Sequence, residues 1–288
     1  MTAIRRIKNR PLIYWQRLAI VALAAAGIAA WLAYIAEFPL ALDAHAYFAA
    51  DLRHLYGGAE GAYDSYVYPP VFAQVIQPLR WLGWDAFRMV WRGLELAALV
   101  WFIGPFVGLA LFVTPVALEV NLGNIHLLLA AAIVAGFRWP AMWSFVLLTK
   151  ITPGVGLLWF VVRREWRSLA IALGATAAIA GASFVVAPGL WFEWIASVTL
   201  QRDPTGVDLV LTAPLVARVA VAVALVVWGA QRDKRWTVLV AAFIALPFVW
   251  IPAVAMLAGL VPLLRSPPSV RLSFPSIAGG TVVPDPGA

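Results

Sequence analysis

The sequence predicts an all-α, polytopic transmembrane helical bundle, and three observations carry that prediction. The 288-residue chain is 63% hydrophobic and only 12% charged, roughly half the charged fraction of a soluble globular domain. Its mean hydropathy is +0.88. Long apolar runs recur along nearly its whole length, separated by shorter polar stretches. A chain so poor in charge cannot cover its own surface with polar groups. Lipid must be its solvent, and in lipid only helices and closed barrels satisfy the backbone.

The first span is expected over about 18–36, preceded by Arg5, Arg6, Lys8, Arg10 and Arg17, which hold the N-terminus in the cytoplasm. No convincing small-residue cleavage site follows it, so it reads as a retained span rather than a signal peptide. Residues 37–69 are polar and aromatic and form a first outer loop. Within it, 44–56 lacks helix breakers and is expected to lie as a re-entrant or interfacial helix. A second span is expected over 70–84, with Arg80, Arg88 and Arg92 at its cytoplasmic end, and a third over 93–113, kinked at Gly104-Pro105. Residues 114–124 are outside, and 125–137 returns to Arg138. The apolar stretch from Pro140 to Phe160 is broken by Lys150-Ile151-Thr152-Pro153-Gly154 and reads as two short arms, with Lys150 at the outer turn. The remaining spans are 168–187, 214–230, 236–251 and 252–264, with a second outer loop over 188–213. The total is about 8–10 spans in a single transmembrane domain, 1–264, followed by a Pro-, Gly- and Ser-rich tail, 265–288, expected to be disordered and cytoplasmic.

Charge sorting supports this threading, because it places 17 of the 21 basic residues inside and 9 of the 14 acids outside. The net charge of +7 is therefore membrane orientation, not a nucleic-acid groove, and no basic stripe interleaved with aromatics is present. With 0 cysteines, disulfides and thiolate metal sites are excluded. His45 and His54 stand nine residues apart and His126 is distant, so no HxxxH or HExxH metal motif exists. No P-loop, GxGxxG or GxSxG occurs, so neither a metal nor a soluble nucleotide cofactor is expected.

Ionisable residues in or beside a membrane are costly and mark candidate sites. Here they gather at one face: Asp43, His45, Asp51, Arg53 and His54 in the first outer loop, Asn121, Asn124, His126 and Lys150 at outer turns, and Arg202, Asp203 and Asp208 in the second loop. Asp43 follows the first span closely, so partial desolvation raises its basicity and suits it to take a proton from a hydroxyl. The same aspartate is a good N-cap for a helix starting near Ala44, and the sequence leaves both roles open. Lys150 sits in an apolar stretch beside helix-breaking Pro153 and Gly154. A cation there suits a phosphate; the alternative is a lysine snorkelling to an interface. Tyr47, Tyr56, Tyr63, Tyr66, Tyr68, Trp191 and Trp194 fall near the same face, where an interfacial aromatic belt accounts for most of them.

Taken in order, Asp43, Tyr68-Pro69-Pro70, Asn121-Leu122-Gly123-Asn124, Lys150-Ile151-Thr152-Pro153 and Arg163-Arg164-Glu165-Trp166-Arg167 resemble the polyprenyl-phosphate-sugar-dependent glycosyltransferases of family 87. These have the GT-C fold and include mannosyltransferases. The resemblance covers about 37–264. It implies a multi-pass enzyme of the bacterial cytoplasmic membrane, active at the outer face. It implies a polyprenyl-phosphate-sugar donor, mannose by preference, and a lipid or glycan acceptor, with membrane lipids around it and no nucleic acid. It assigns Asp43 as catalytic base and Lys150 as a donor-phosphate contact; Arg202 and Arg53 of the outer loops are further candidate cations for that phosphate on their charge and place alone. His45, Tyr47, Tyr68, Asn124 and His126 are the expected substrate contacts. The sequence departs from the family pattern in two places. No histidine follows Pro247-Phe248-Val249-Trp250, and Val207–Leu211 stands where an Asn-Gln-Ser patch is common. A non-catalytic lipid-binding or transport protein that kept the fold is the alternative reading. An ion-coupled transporter fits less well, since no matched pair of broken helices appears in two halves.

Overall fold

A computed structural model of the chain describes residues 10–37, 41–57, 65–200 and 211–265. Among the described residues every regular element is helical and there is no β-strand, which is the expected all-α membrane fold. Arg202, Asp203, Asp208, Glu60, Tyr63, Asp64, the first basic residues and the tail beyond 265 lie outside the described residues.

The first helix, α1 (Arg10–Glu37), is a 28-residue run rich in Ala, Leu and Ile, about 42 Å long. The chain then forms a short helix, α2 (Leu42–Ala49), and an 11-residue helix, α3 (Pro70–Arg80). After Gly83 comes α4 (Trp84–Ile103). It is broken at Gly104-Pro105, where Gly104 has φ 60, and continues through a 3-10 turn into α5 (Val107–Ala110). The kink expected at this pair is present, since proline cannot continue the hydrogen-bond ladder. Then follow α6 (Thr114–Leu122), α7 (His126–Gly136) and α8 (Trp143–Leu147). A 3-10 segment (Thr152–Leu157) leads into α9 (Leu158–Val162), and α10 (Trp166–Val186) and α11 (Pro188–Leu200) follow. The last elements are α12 (Leu215–Gln231), α13 (Trp236–Ile244), a 3-10 segment (Ile251–Gly259) and α14 (Leu260–Arg265).

Three stretches are long and apolar enough to cross a membrane: Tyr14–Ile35, Trp84–Ala110 and Trp166–Val186. The pair α6 and α7, bent by 100°, would make a fourth. The expected count of full crossings therefore resolves into a few long helices and many short arms. Irregular backbone at that depth is stable only when other helices shield it from lipid. Burial meets this demand: Leu127, Leu129, Ala130, Ile133, Val146, Val238, Leu239 and Met256 have no exposed surface and form one core with Leu99 and Phe102 of α4.

One expected element is corrected. Residues 70–84 do not form a span, because α3 covers only 11 residues, about 16 Å of rise. Its C-terminal Arg80 donates to the carbonyl of Ala50, just past α2, as does Gln77. Helix α4 then starts beside α2, with Trp84 edge-on to His45 at 4.8 Å. Arg80, Arg88 and Arg92 thus lie at the end of the bundle that carries Asp43, rather than at the opposite one. Each finds a local partner there: Ala50 for Arg80, Asp85 for Arg88 and Asn121 for Arg92.

At the other end, Arg163 bridges Glu165 at 2.7 Å and Asp233 at 3.0 Å, tying the turn after α9 to the turn after α12. Arg235 lies over the Phe137 ring at 5.4 Å. The late arm α13 ends without a helical continuation, and its orphan carbonyls are taken by Arg218. Nη1 donates to Ile244 and Leu246, and Nη2 to Pro247. This buried arginine is a clamp on the irregular turn that precedes Pro247-Phe248-Val249-Trp250.

Helix α1 is held by a close crossing of small residues. A Cβ on Gly27 would sit 2.7 Å from the Gly108 carbonyl oxygen, and one on Gly108 would sit 2.5 Å from that of Ala24. Backbones approach this closely only where side chains are absent, as at other small-residue crossings in membranes. Gly108→Leu is expected to overpack the crossing and cost roughly 1–3 kcal/mol, read as a lower thermal unfolding midpoint of the protein in detergent. An unchanged midpoint would show that α1 is not held there.

Candidate functional site

The site is built around the corner between α6 and α7. Gly123 sits there with φ +74, a left-handed turn that favours glycine, and a Cβ would lie 2.6 Å from the Ala44 methyl of α2. The indole N–H of Trp91 donates to the Gly123 carbonyl at 2.8 Å, fixing the corner to α4. The backbone N–H of Ala41 donates to the Asn121 carbonyl at 2.9 Å, fixing the start of α2 to the same corner.

Helix α2 begins at Leu42, with Ala41 as its N-cap and no side-chain capping bond. Asp43 therefore does not cap the helix that carries it. Its side chain takes a hydrogen bond from Asn124 instead. The Asn124 Oδ1 accepts the N–H of Ile125 at 2.7 Å, which leaves the amide nitrogen for Asp43. Oδ2 of Asp43 is buried without a partner. Burial, reinforced by the nearby Glu119 charge, raises the Asp43 pKa to about 6, while Asn124 and Lys150 pull it down.

Below Asp43 runs a chain of three linked groups, two of them fully buried and Lys150 partly so. Glu119 and His126 have no exposed surface. Oε1 of Glu119 accepts the backbone N–H of His126 at 2.7 Å, and Oε2 faces Nδ1 at 3.0 Å. On the other side of the ring, Nε2 meets Nζ of Lys150 at 2.8 Å. An ammonium can only donate, so Nε2 is the acceptor and Nδ1–H donates to the carboxylate. Glu119 thus fixes the tautomer of His126, and His126 fixes the position of Lys150. Lys150 lies between the two arms expected from the sequence, after α8 and before Pro153. Its Nζ also lies over the Tyr68 ring at 5.9 Å and shares an electrostatic environment with Asp43.

The aromatic residues form a second core beside these groups. Tyr47, 1% exposed, meets Tyr68 through their hydroxyls at 3.2 Å and packs edge-on against Phe72 at 5.2 Å. Tyr56 donates to the Tyr68 carbonyl at 2.7 Å, and Tyr66 to that of Pro69 at 3.1 Å. These tyrosines are part of the packing rather than of an interfacial belt. Trp191 and Trp194 pack edge-on against each other at 5.8 Å on α11.

The structure brings Asp43, Asn124, His126, Lys150, Tyr47 and Tyr68 together. His45 packs on Trp84 at the edge of α2. Arg53 is exposed in the turn after α2, its backbone N–H held by the Asp51 carboxylate at 3.0 Å. Arg202 lies outside the described residues. Two acids in the site were not singled out from the sequence. Glu119 appeared only in the tally of outer acids. Glu95 of α4 has no exposed surface, and both its carboxylate oxygens are buried without a partner. It feels the charges of Glu119, Asp43 and Arg92. The signal was available: Glu95 is one turn beyond Trp91 on an otherwise apolar helix face, where a charge is costly. Among the described residues no group of acids and histidines is arranged to hold a metal ion.

A buried base and a held ammonium among apolar and aromatic side chains suit the transfer of a group that leaves with negative charge. A family model, glycosyltransferase family 87, matches residues 66–267. The chain belongs to that family and is a membrane-embedded glycosyltransferase. The matched region holds Tyr68, Asn124, His126 and Lys150, whereas Asp43 lies before it. No curated protein and no solved structure matches the chain.

Removal of Glu119 would leave the His126–Lys150 pair buried without its carboxylate. Glu119→Ala is expected to cost about 3–5 kcal/mol, measured by thermal unfolding in a fixed detergent. A loss under 1 kcal/mol on that scale, as for an exposed ion pair, would contradict the buried chain.

Proposed function

We propose that the protein transfers a sugar, mannose by preference, from a polyprenyl-phosphate-linked donor to a lipid or glycan acceptor at the non-cytoplasmic face of the bacterial cytoplasmic membrane. The observation that supports this best is Asp43, whose Oδ2 is buried without a partner close enough to the His126-anchored Lys150 to feel its charge.

In this reading Lys150 receives the donor phosphate, with His126 and Glu119 behind it to keep the ammonium in place. Exposed Arg53 is a further cation for the same headgroup, and Arg202, outside the described residues, is another candidate. Asn124 orients Asp43 through its amide, and Tyr68 shapes the wall between base and cation. Tyr47 supports that wall from below, and His45 and Trp84 line the approach over α2. Asp43 takes the proton from an acceptor hydroxyl. The oxygen forms its bond to the anomeric carbon as the bond from that carbon to the phosphate oxygen breaks. The phosphate leaves with the electron pair, and its charge is met by Lys150. Positioning and charge stabilisation supply most of the acceleration, so no separate general acid is needed. The N-terminus is cytoplasmic in this orientation, and the basic turns around Arg163 and Arg235 face the same side.

Asp43→Asn is expected to lower transfer from a radiolabelled polyprenyl-phosphate-mannose by about 10²–10⁴-fold while the protein stays folded; a folded variant with full activity would contradict the base assignment. The pH dependence follows from the raised pKa of about 6. The base is active only when ionised, so kcat/KM should fall as pH drops through that value. A rate flat down to pH values near the ordinary aspartate pKa of about 3.9 would remove the role.

A further inference from the structure

Among the described residues, three that are not glycine have a positive φ: Ala41, Arg164 and Asp233. Ala41 stands beside the site, two residues before Asp43. Its backbone is left-handed, with φ 42 and ψ 29, a region where an L side chain crowds the following carbonyl. Such a conformation persists only where the surroundings impose it. Ala41 is 3% exposed, so the contacts that impose it are internal.

Those contacts come from the corner between α6 and α7. The Ala41 N–H donates to the Asn121 carbonyl at 2.9 Å, and the Ala41 carbonyl accepts the His45 N–H at 2.8 Å, the first bond of α2. The left-handed residue is therefore the joint between corner and helix. A change of φ or ψ at this joint turns α2 as a unit. Asp43 lies in its first turn and would turn with it, away from Asn124, which hydrogen-bonds to its carboxylate.

Helix α4 holds the corner from its other side. Trp91 donates to the Gly123 carbonyl at 2.8 Å. The next residue, Arg92, donates from Nη2 to the Asn121 Oδ1 at 3.2 Å. The same nitrogen lies 3.5 Å from the Asn121 carbonyl, the oxygen that Ala41 uses. One guanidinium nitrogen thus meets both oxygens of a buried asparagine and ties that turn of α6 to α4. The charges that reach Asp43 are those of Glu119 and Lys150; the arginine acts on it through geometry.

We propose that Arg92 is a positioning residue for Asp43: it holds the Asn121 carbonyl that locks Ala41 in its left-handed form, and so sets the rotation at which α2 presents the carboxylate to the acceptor. The proposal rests on the reading of Asp43 as the base.

The test is steady-state kinetics of the full-length enzyme in nanodiscs, with radiolabelled polyprenyl-phosphate-mannose as donor and a total bacterial lipid extract as acceptor. Arg92→Leu should lower kcat about 10- to 100-fold and leave the donor KM unchanged. The pH profile of kcat/KM should move as well. The Asn124 hydrogen bond holds the Asp43 pKa down, so its loss moves the midpoint above the wild-type value of about 6. Arg92→Lys keeps a cationic donor and should recover most of kcat and the wild-type midpoint. Arg92→Gln, shorter and neutral, carries the same test where the leucine variant fails to fold. Ala41→Val puts a β-branched residue in the left-handed joint and should reproduce the Arg92→Leu signature. A folded Arg92→Leu enzyme with unchanged kcat and midpoint overturns the proposal. So does a raised KM with unchanged kcat, which makes Arg92 a substrate contact. A lower thermal unfolding midpoint with unchanged kinetics reduces Arg92 to a structural role and also overturns it. A wild-type profile with no midpoint near 6, or full activity of Asp43→Asn, overturns the base assignment itself, so the two failures are distinguishable.

Discussion

A charged group inside a membrane protein survives only when its partners are fixed, and the arrangement of Glu119, His126 and Lys150 is the constraint on which the site depends. The lysine ammonium would be costly in this apolar surrounding on its own. It is held because His126 offers a lone pair at Nε2, and it does so because Glu119 takes the proton side of the ring. This requires α6, α7 and the turn after α8 to meet at one point. The left-handed Gly123, the Trp91 bond to its carbonyl and the 100° bend between α6 and α7 satisfy that geometric demand.

The same demand explains why so much of the bundle is made of short arms. A continuous helix from Trp143 to Val162 would carry Lys150 past the histidine and turn it with the helix. A break at Lys150, followed by proline at 153, instead aims the side chain inward. The orphaned backbone at such breaks must be satisfied within the protein, as Arg218 does for the end of α13. Function and fold are therefore linked through one feature: the irregular backbone that builds the pocket is also what the surrounding long helices must shield.

Much of this was legible in the residues. Composition determined the solvent, and the long apolar runs the all-α class. The kink at Gly104-Pro105 and the break beside Lys150 were readable because proline and glycine act locally. Lys150 stood out because a cation in an apolar run has few explanations. The reading failed where a local pattern has two tertiary outcomes. Residues 70–84 are apolar enough for a short span, and Arg80, Arg88 and Arg92 looked like its cytoplasmic anchors. The structure lays α3 against α2 and α4, and those arginines bond to Ala50, Asp85 and Asn121. Charge sorting treats every arginine as a free surface charge, and these three are not. Glu119 escaped for the converse reason: a single acid in a short helix gives no sign of which buried groups it will meet. Asp43 is the intermediate case, since its spacing fitted both a cap and a base. Only the start of α2 at Leu42 removed the cap.

The central claim is that Lys150, held by His126 and Glu119, shares one pocket with Asp43 and receives the phosphate that leaves. A cryo-electron-microscopy structure with a non-cleavable polyprenyl-phosphonate sugar analogue tests it most directly. The account predicts a phosphonate oxygen within hydrogen-bonding distance of the Lys150 Nζ and the anomeric carbon facing the Asp43 carboxylate. A phosphonate bound elsewhere, with Lys150 still tied to His126 and no sugar near Asp43, would contradict it.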